Sequence, residues 1–140
     1  MDFNLNRFRE AQAHSYDQAL SEIRRGRKTG HWMWYVFPQL RGLGRSGTAD
    51  YYGIGGLEEA KAYLADPVLG PRLTEISEAL MRLEDKDAGR IFGYPDELKL
   101  RSCMTLFEAA SPLKENVFSR VLDAYYDGDR DERTLELLGI

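Results

Sequence analysis

The chain has 140 residues, 43% of them apolar and 30% charged, and a formal net charge of −4. That length suits one domain able to bury roughly two thirds of the surface its unfolded form would expose, so neither a disulfide nor a metal is required to hold it. One cysteine, Cys103, and two histidines exclude an internal disulfide, a cysteine-based zinc site and a His-rich metal cluster. No apolar run approaches the length of a membrane span, and no signal peptide or membrane partner is expected. The expectation is one multihelical domain over residues 1–140 in a reducing cytoplasm.

The first periodic segment runs from Asn4 to Arg25, with Leu5, Phe8, Ala11, Ala19, Leu20 and Ile23 near helical spacing and Gly26 placed to stop it. His31 to Phe37 reads HWMWYVF, dense enough in aromatic and β-branched residues for a strand, yet short and stopped by Pro38; it is read as a short helix. Residues 39–56 carry six glycines and read as a long loop, of the kind that is functional or mobile inside a compact domain. Leu57 to Ala65 has strong helix formers. Asp66-Pro67, Tyr94-Pro95 and Ser111-Pro112 each look like a helix start with proline at the first position, so helices are expected near Pro67, Pro95 and Pro112.

The stripe Leu69, Leu73, Ile76, Leu80 and Leu83 is the clearest amphipathic pattern and is assigned to the core. Leu100, Cys103, Met104 and Phe107 mark the apolar face of the next helix. Leu113, Val117, Phe118, Val121 and Leu122 mark the one after it, and a short helix near Thr134 to Leu138 closes the chain. The fold expected is all-α, an irregular array of about six helices with a long Gly-rich loop.

Charge is unevenly placed. Between Ile23 and Ala49 stand Arg24, Arg25, Arg27, Lys28, Arg41 and Arg45 without one Asp or Glu, so this segment holds +6 and the remainder −10. Interleaved with those cations are His31, Trp32, Trp34, Tyr35, Phe37 and Gln39. Cations, stacking faces and flexible backbone together suit an anionic, partly planar ligand. Trp32 and Trp34 stand two apart and share a face only in an extended run, so one of them is assigned to the core.

Gly42-Leu43-Gly44-Arg45-Ser46-Gly47 matches G-x-G-x-x-G, but no strand precedes it and no apolar helix follows, so a dinucleotide fold fails on context. Its amides could still form an anion nest beside Arg41 and Arg45. His31 is the candidate proton donor or acceptor, set against a structural histidine that caps a turn. Lys99, Arg101, Ser102 and Thr105 form a second polar cluster, opposite the apolar face of its helix; the alternative is a solvated face. Cys103 belongs to the apolar side and is read as inert. Asp127, Asp129 and Asp131 imitate the start of a calcium loop, but Glu132 stands where that loop needs Gly and Leu138 where it needs Glu. An acidic cap for the last helix is the reading adopted.

Gly26 to Ile54 (GRKTGHWMWYVFPQLRGLGRSGTADYYGI), Leu57 to Leu73 and Ile91 to Phe107 together resemble the bacterial family called domain of unknown function 1810. The resemblance covers nearly the whole chain and implies a mainly helical fold. It brings no catalytic residues and no cofactor. Members are often labelled calpastatin, but animal calpastatins look like disordered inhibitor repeats, unlike this apolar-cored sequence.

The leading functional expectation is a domain that binds an anionic metabolite, phosphorylated or otherwise, such as a nucleotide, in one cleft lined by residues 31–46 and 99–105. Trp32 or Trp34 would stack, Arg41, Arg45, Lys99 and Arg101 would neutralise charge, Gly42 and Gly44 would offer amides, and Gln39, Ser46, Ser102 or His31 would orient the ligand. The rival is a protein-interaction module that presents exposed aromatics and cations to an acidic partner. Nucleic acid is disfavoured by the net negative charge. No cofactor and no reaction is specified.

Overall fold

The computed structural model describes residues 3–140. Among them ten helices stand in place of the six or so expected: α1 (Asn6–Ala13), α2 (Tyr16–Arg24), α3 (Met33–Val36), α4 (Gly47–Tyr51), α5 (Leu57–Ala65), α6 (Leu69–Met81), α7 (Ala88–Phe92), α8 (Asp96–Ala110), α9 (Val117–Tyr126) and α10 (Glu132–Leu138). The surplus has local causes. The first periodic segment breaks at His14-Ser15 into two helices, and α4 and α7 are single-turn pieces capped by Ser46 and Asp87, whose side chains accept from the amides of Ala49 and Arg90. Five residues carry too little periodicity to register in a sequence window.

The expected short helix in HWMWYVF is α3, and Leu57 to Ala65 is α5 without adjustment. Two of the three proline starts hold. Asp66 accepts from the amides of Val68 and Leu69, so α6 begins at Leu69, two residues past Pro67, and α8 begins next to Pro95. Ser111-Pro112 does the opposite of what was expected, because Ser111 ends α8 in extended conformation and the proline acts as a stop. The true start of α9 is Asn116, whose side chain accepts from the Ser119 amide, and Leu113 is consequently 67% exposed rather than buried.

Of the α6 stripe, Leu69, Leu73, Ile76 and Leu80 are buried, while Leu83 lies past the helix end and is only partly covered. α8 is the central element, packed by α5, α7, α9 and α10. A train of rings crosses the core, Phe8 to Tyr63 at 5.2 Å, Tyr63 to Phe107 at 5.1 Å and Phe107 to Phe118 at 6.0 Å, and ties α1, α5, α8 and α9 together. Among the described residues no helix is long and apolar enough to cross a membrane.

The Gly-rich segment is closed at its base. Leu40 and Ile54 form an isolated parallel bridge, in which the Arg41 amide donates to the Ile54 carbonyl at 2.8 Å and the Ile54 amide to the Gln39 carbonyl at 3.0 Å. Buried Arg7 holds the far side, donating to the carbonyls of Tyr51 (2.8 Å) and Gly53 (3.0 Å) and to Glu59 Oε2 (2.8 Å). Glu59 Oε1 accepts from the Gly55 amide, so both carboxylate oxygens are engaged. The two side chains are each 5% exposed. Removing one partner leaves a buried, unanswered charge, so Arg7→Ala should lower unfolding free energy by about 3–5 kcal/mol in urea titration. Arg41→Ala, which removes an exposed cation 3.9 Å from Asp50, should cost under about 1 kcal/mol.

Candidate functional site

The basic segment owes its shape to an acid just outside it. Glu22 follows Ala19 by three residues and so falls on the buried stripe of α2, where a carboxylate needs partners. After Gly26, at φ +77°, turns the chain, Glu22 Oε1 accepts from the amides of Thr29 (2.7 Å) and Gly30 (2.8 Å) and from the Trp32 indole (3.0 Å). Oε2 accepts from Gln18 at 2.8 Å. Burial pushes this carboxyl upward, but the four hydrogen bonds outweigh it and hold its pKa at about 2. Gly30 is required by close approach, since a Cβ there would lie 2.8 Å from Trp32 Cδ1.

Trp32 is therefore the core tryptophan, 2% exposed and packed on Phe37, which meets Phe92 of α7 edge-on. Trp34, one helical half-turn on, is left partly exposed. Lys28 folds back over Trp32 at 5.1 Å, donates to the Gly30 carbonyl and pairs with Asp96 at 2.8 Å. Lys99 stands 5.2 Å over Trp34 and reaches the same Asp96 at only 3.5 Å. Two lysines thus share one carboxylate; Lys28 holds the close contact, and the Lys99 charge is the less engaged. His31 and Tyr94 are exposed nearby in sequence, beside Trp32 and the start of α8.

The other expected site residues lie in two further places. Gln39, Arg41, Gly42, Gly44, Arg45 and Ser46 belong to the closed loop. There Gly44 packs against Ala49, Ser46 caps α4, Arg45 is exposed, and Arg41 donates to the Asp50 carbonyl and lines a cavity of about 370 Å³ with Arg7, Tyr51 and Glu59. Arg101 faces away from Lys99, over the Tyr126 ring at 5.9 Å, and lines a separate cavity toward α10. Ser102 is buried and donates to the Leu98 carbonyl; Thr105 is buried, donates to the Arg101 carbonyl and accepts from the Asp131 amide. The hydroxyls of this cluster are therefore structural. So is Cys103, whose thiol burial pushes well above its ordinary pKa. Asp131 caps α10, accepting from the Thr134 amide.

Glu22 and Asp96 were not among the site residues expected from sequence, and Lys28 was read only as one of the six cations of the basic segment. Glu22 carried a signal in its position on the apolar stripe. Asp96 reads in sequence only as a first-turn acid favoured by the helix dipole.

An all-helical domain with an aromatic and basic surface where the α2–α3 turn meets the start of α8 is the class that this fold and site define. The chain belongs to the family described as "Protein of unknown function (DUF1810)", whose model matches residues 2–138. It is similar to the conserved hypothetical protein Rv1873 from Mycobacterium tuberculosis, known from a crystal structure. The TM-score is 0.95 and the identity 50%, over 99% of this chain and 98% of that one. No curated protein matches.

Because the Glu22 pKa is depressed from 4.5 to about 2, its stabilisation is complete above pH 4.5 and is lost as pH falls toward 2. The stability difference between wild type and Glu22→Gln should reach about 3 kcal/mol at pH 7 and close between pH 4.5 and 2, as followed by denaturant titration across pH. A gap that stays constant with pH would refute this origin.

Proposed function

We propose that this protein binds a phosphorylated metabolite with a planar group, of nucleotide type, on the surface shared by Trp34 and Lys99. One observation carries the reading: a lysine with only a 3.5 Å contact to its carboxylate stands over a partly exposed indole. An anion that draws Lys99 from Asp96 is brought against Trp34, and a planar group attached to it can stack there. Asp96 loses little by the exchange, because Lys28 keeps it paired at 2.8 Å. His31 and Arg27, both exposed in the α2–α3 turn, are further donors on the same segment.

A second reading, docking of an acidic protein segment, is favoured by Arg24, Arg25 and Arg27, all exposed and without an ion pair among the described residues. Charges of this kind raise association rates in low salt.

With one tryptophan buried and one partly exposed, fluorescence separates the readings. Adenosine monophosphate should quench emission saturably in wild type, and Trp34→Phe, which leaves Trp32 emitting, should abolish the change. Lys99→Ala should weaken binding roughly tenfold, the worth of one charge-assisted hydrogen bond. No response to nucleotides, with a salt-sensitive response to a polyglutamate peptide that Arg24→Ala/Arg25→Ala removes, would replace the first reading by the second.

A further inference from the structure

Two lysines and one carboxylate set the charge beside Trp34. Asp96 divides its oxygens between them, Oδ2 toward Lys28 at 2.8 Å and Oδ1 toward Lys99 at 3.5 Å. The Lys28 ammonium is enclosed: it donates to the Gly30 carbonyl at 2.6 Å, lies over the Trp32 ring, and belongs to a side chain only 8% exposed. The Lys99 side chain is 24% exposed and stands over the Trp34 ring. Two cations and one anion leave a net single positive charge, and the part of it that a ligand can reach is on Lys99.

The neighbouring elements change this balance little. On α8, Glu97 and Arg101 are each two residues from Lys99 and so about 200° around the helix from it. They lie on the side packed by Tyr126, whose hydroxyl donates to the Glu97 carbonyl and whose ring meets Arg101. On α7, Arg90 is taken by Asp85 and Asp87, and α3 carries no charged residue. The end of α2 and the turn after it add Arg24, Arg25, Arg27 and His31, all exposed, so solvent screens whatever charge they carry. A ligand with one negative charge therefore neutralises the partly buried trio. A second charge on the same phosphate finds no partly buried cation to answer it and is held close to the Asp96 carboxylate, which repels it.

We propose that the Trp34 surface selects a nucleotide whose phosphate carries a single charge, a phosphodiester of the nucleoside cyclic phosphate kind, over the dianionic phosphomonoester. This selectivity rests on the reading of that surface as a nucleotide site and adds to it the form of the phosphate.

Tryptophan fluorescence of the full chain, titrated with adenosine, adenosine monophosphate and 3′,5′-cyclic adenosine monophosphate, tests it across pH. A phosphomonoester gains its second charge near a pH of about 6, whereas the cyclic diester has none to gain. At a pH of about 8 the cyclic nucleotide should bind at least about fivefold more tightly than the monoester, and at a pH of about 5, where each carries one charge, the two should agree within about twofold. Adenosine should bind more weakly than the cyclic nucleotide throughout. Any protein group that titrates over this range moves both nucleotide profiles alike, so the difference between them reports the phosphate. Asp96→Asn leaves two cations unopposed and should remove or reverse the preference. That variant also takes the partner of enclosed Lys28, and where it does not fold the wild-type pH series decides. Equal affinities at the higher pH, parallel pH profiles, or adenosine binding as tightly as the cyclic nucleotide overturn the selectivity while leaving stacking on Trp34 intact. Silence toward all three overturns the nucleotide reading itself, and the selectivity with it.

Discussion

One carboxylate organises the segment on which the functional reading rests. Glu22 is buried in α2, and burial of a charge is tolerated only where hydrogen bonds replace its water. The turn from Gly26 to Gly30 supplies them with two backbone amides, and the indole of Trp32 adds a third donor. The stretch with the most positive charge in the chain is therefore shaped by a negative charge that lies just outside it. Seating Trp32 inward turns Trp34 outward, and the same turn brings Lys28 to Asp96 at the start of α8. Two parts of the chain some seventy residues apart are joined at that pair.

Much of this was legible in the sequence, and the parts that were not share a cause. Long amphipathic patterns, such as Leu69 to Leu80, translate directly into a buried face because periodicity over several turns has one structural solution. The segregation of one tryptophan into the core followed from spacing alone. Short elements escaped: α4 and α7 are defined by a capping side chain and one turn, below the length at which a pattern exists. The dipeptide Ser111-Pro112 misled because proline suits both the position after a helix end and the first turn of a new helix, and only the side chain of Asn116 decides where α9 begins.

The polar cluster of α8 was legible in composition and not in role. A helix packed on by four others has little solvated face, so Ser102 and Thr105 turn their hydroxyls back onto carbonyls of the preceding turn. Lys99 and Arg101 emerge on opposite sides of the same helix. The cations expected to converge on one cleft are thereby divided among three environments: Trp34 for Lys99, the Arg7–Glu59 neighbourhood for Arg41, and the α8–α10 seam for Arg101. The sequence showed two clusters of cations some sixty residues apart along the chain. It could not show how the fold would set those clusters relative to each other.

The bridge between Leu40 and Ile54 has a consequence for variation in this fold. A loop whose base is tied by two backbone hydrogen bonds, with Arg7 gripping its descending arm, transmits little of what happens at its tip to the helices beneath. Lengthening a closed loop costs only about 0.6 kcal/mol for each doubling. A change of length within residues 42–50 would therefore leave the frame in register, because Gln39, Arg41 and Ile54 are joined through their backbones beneath it.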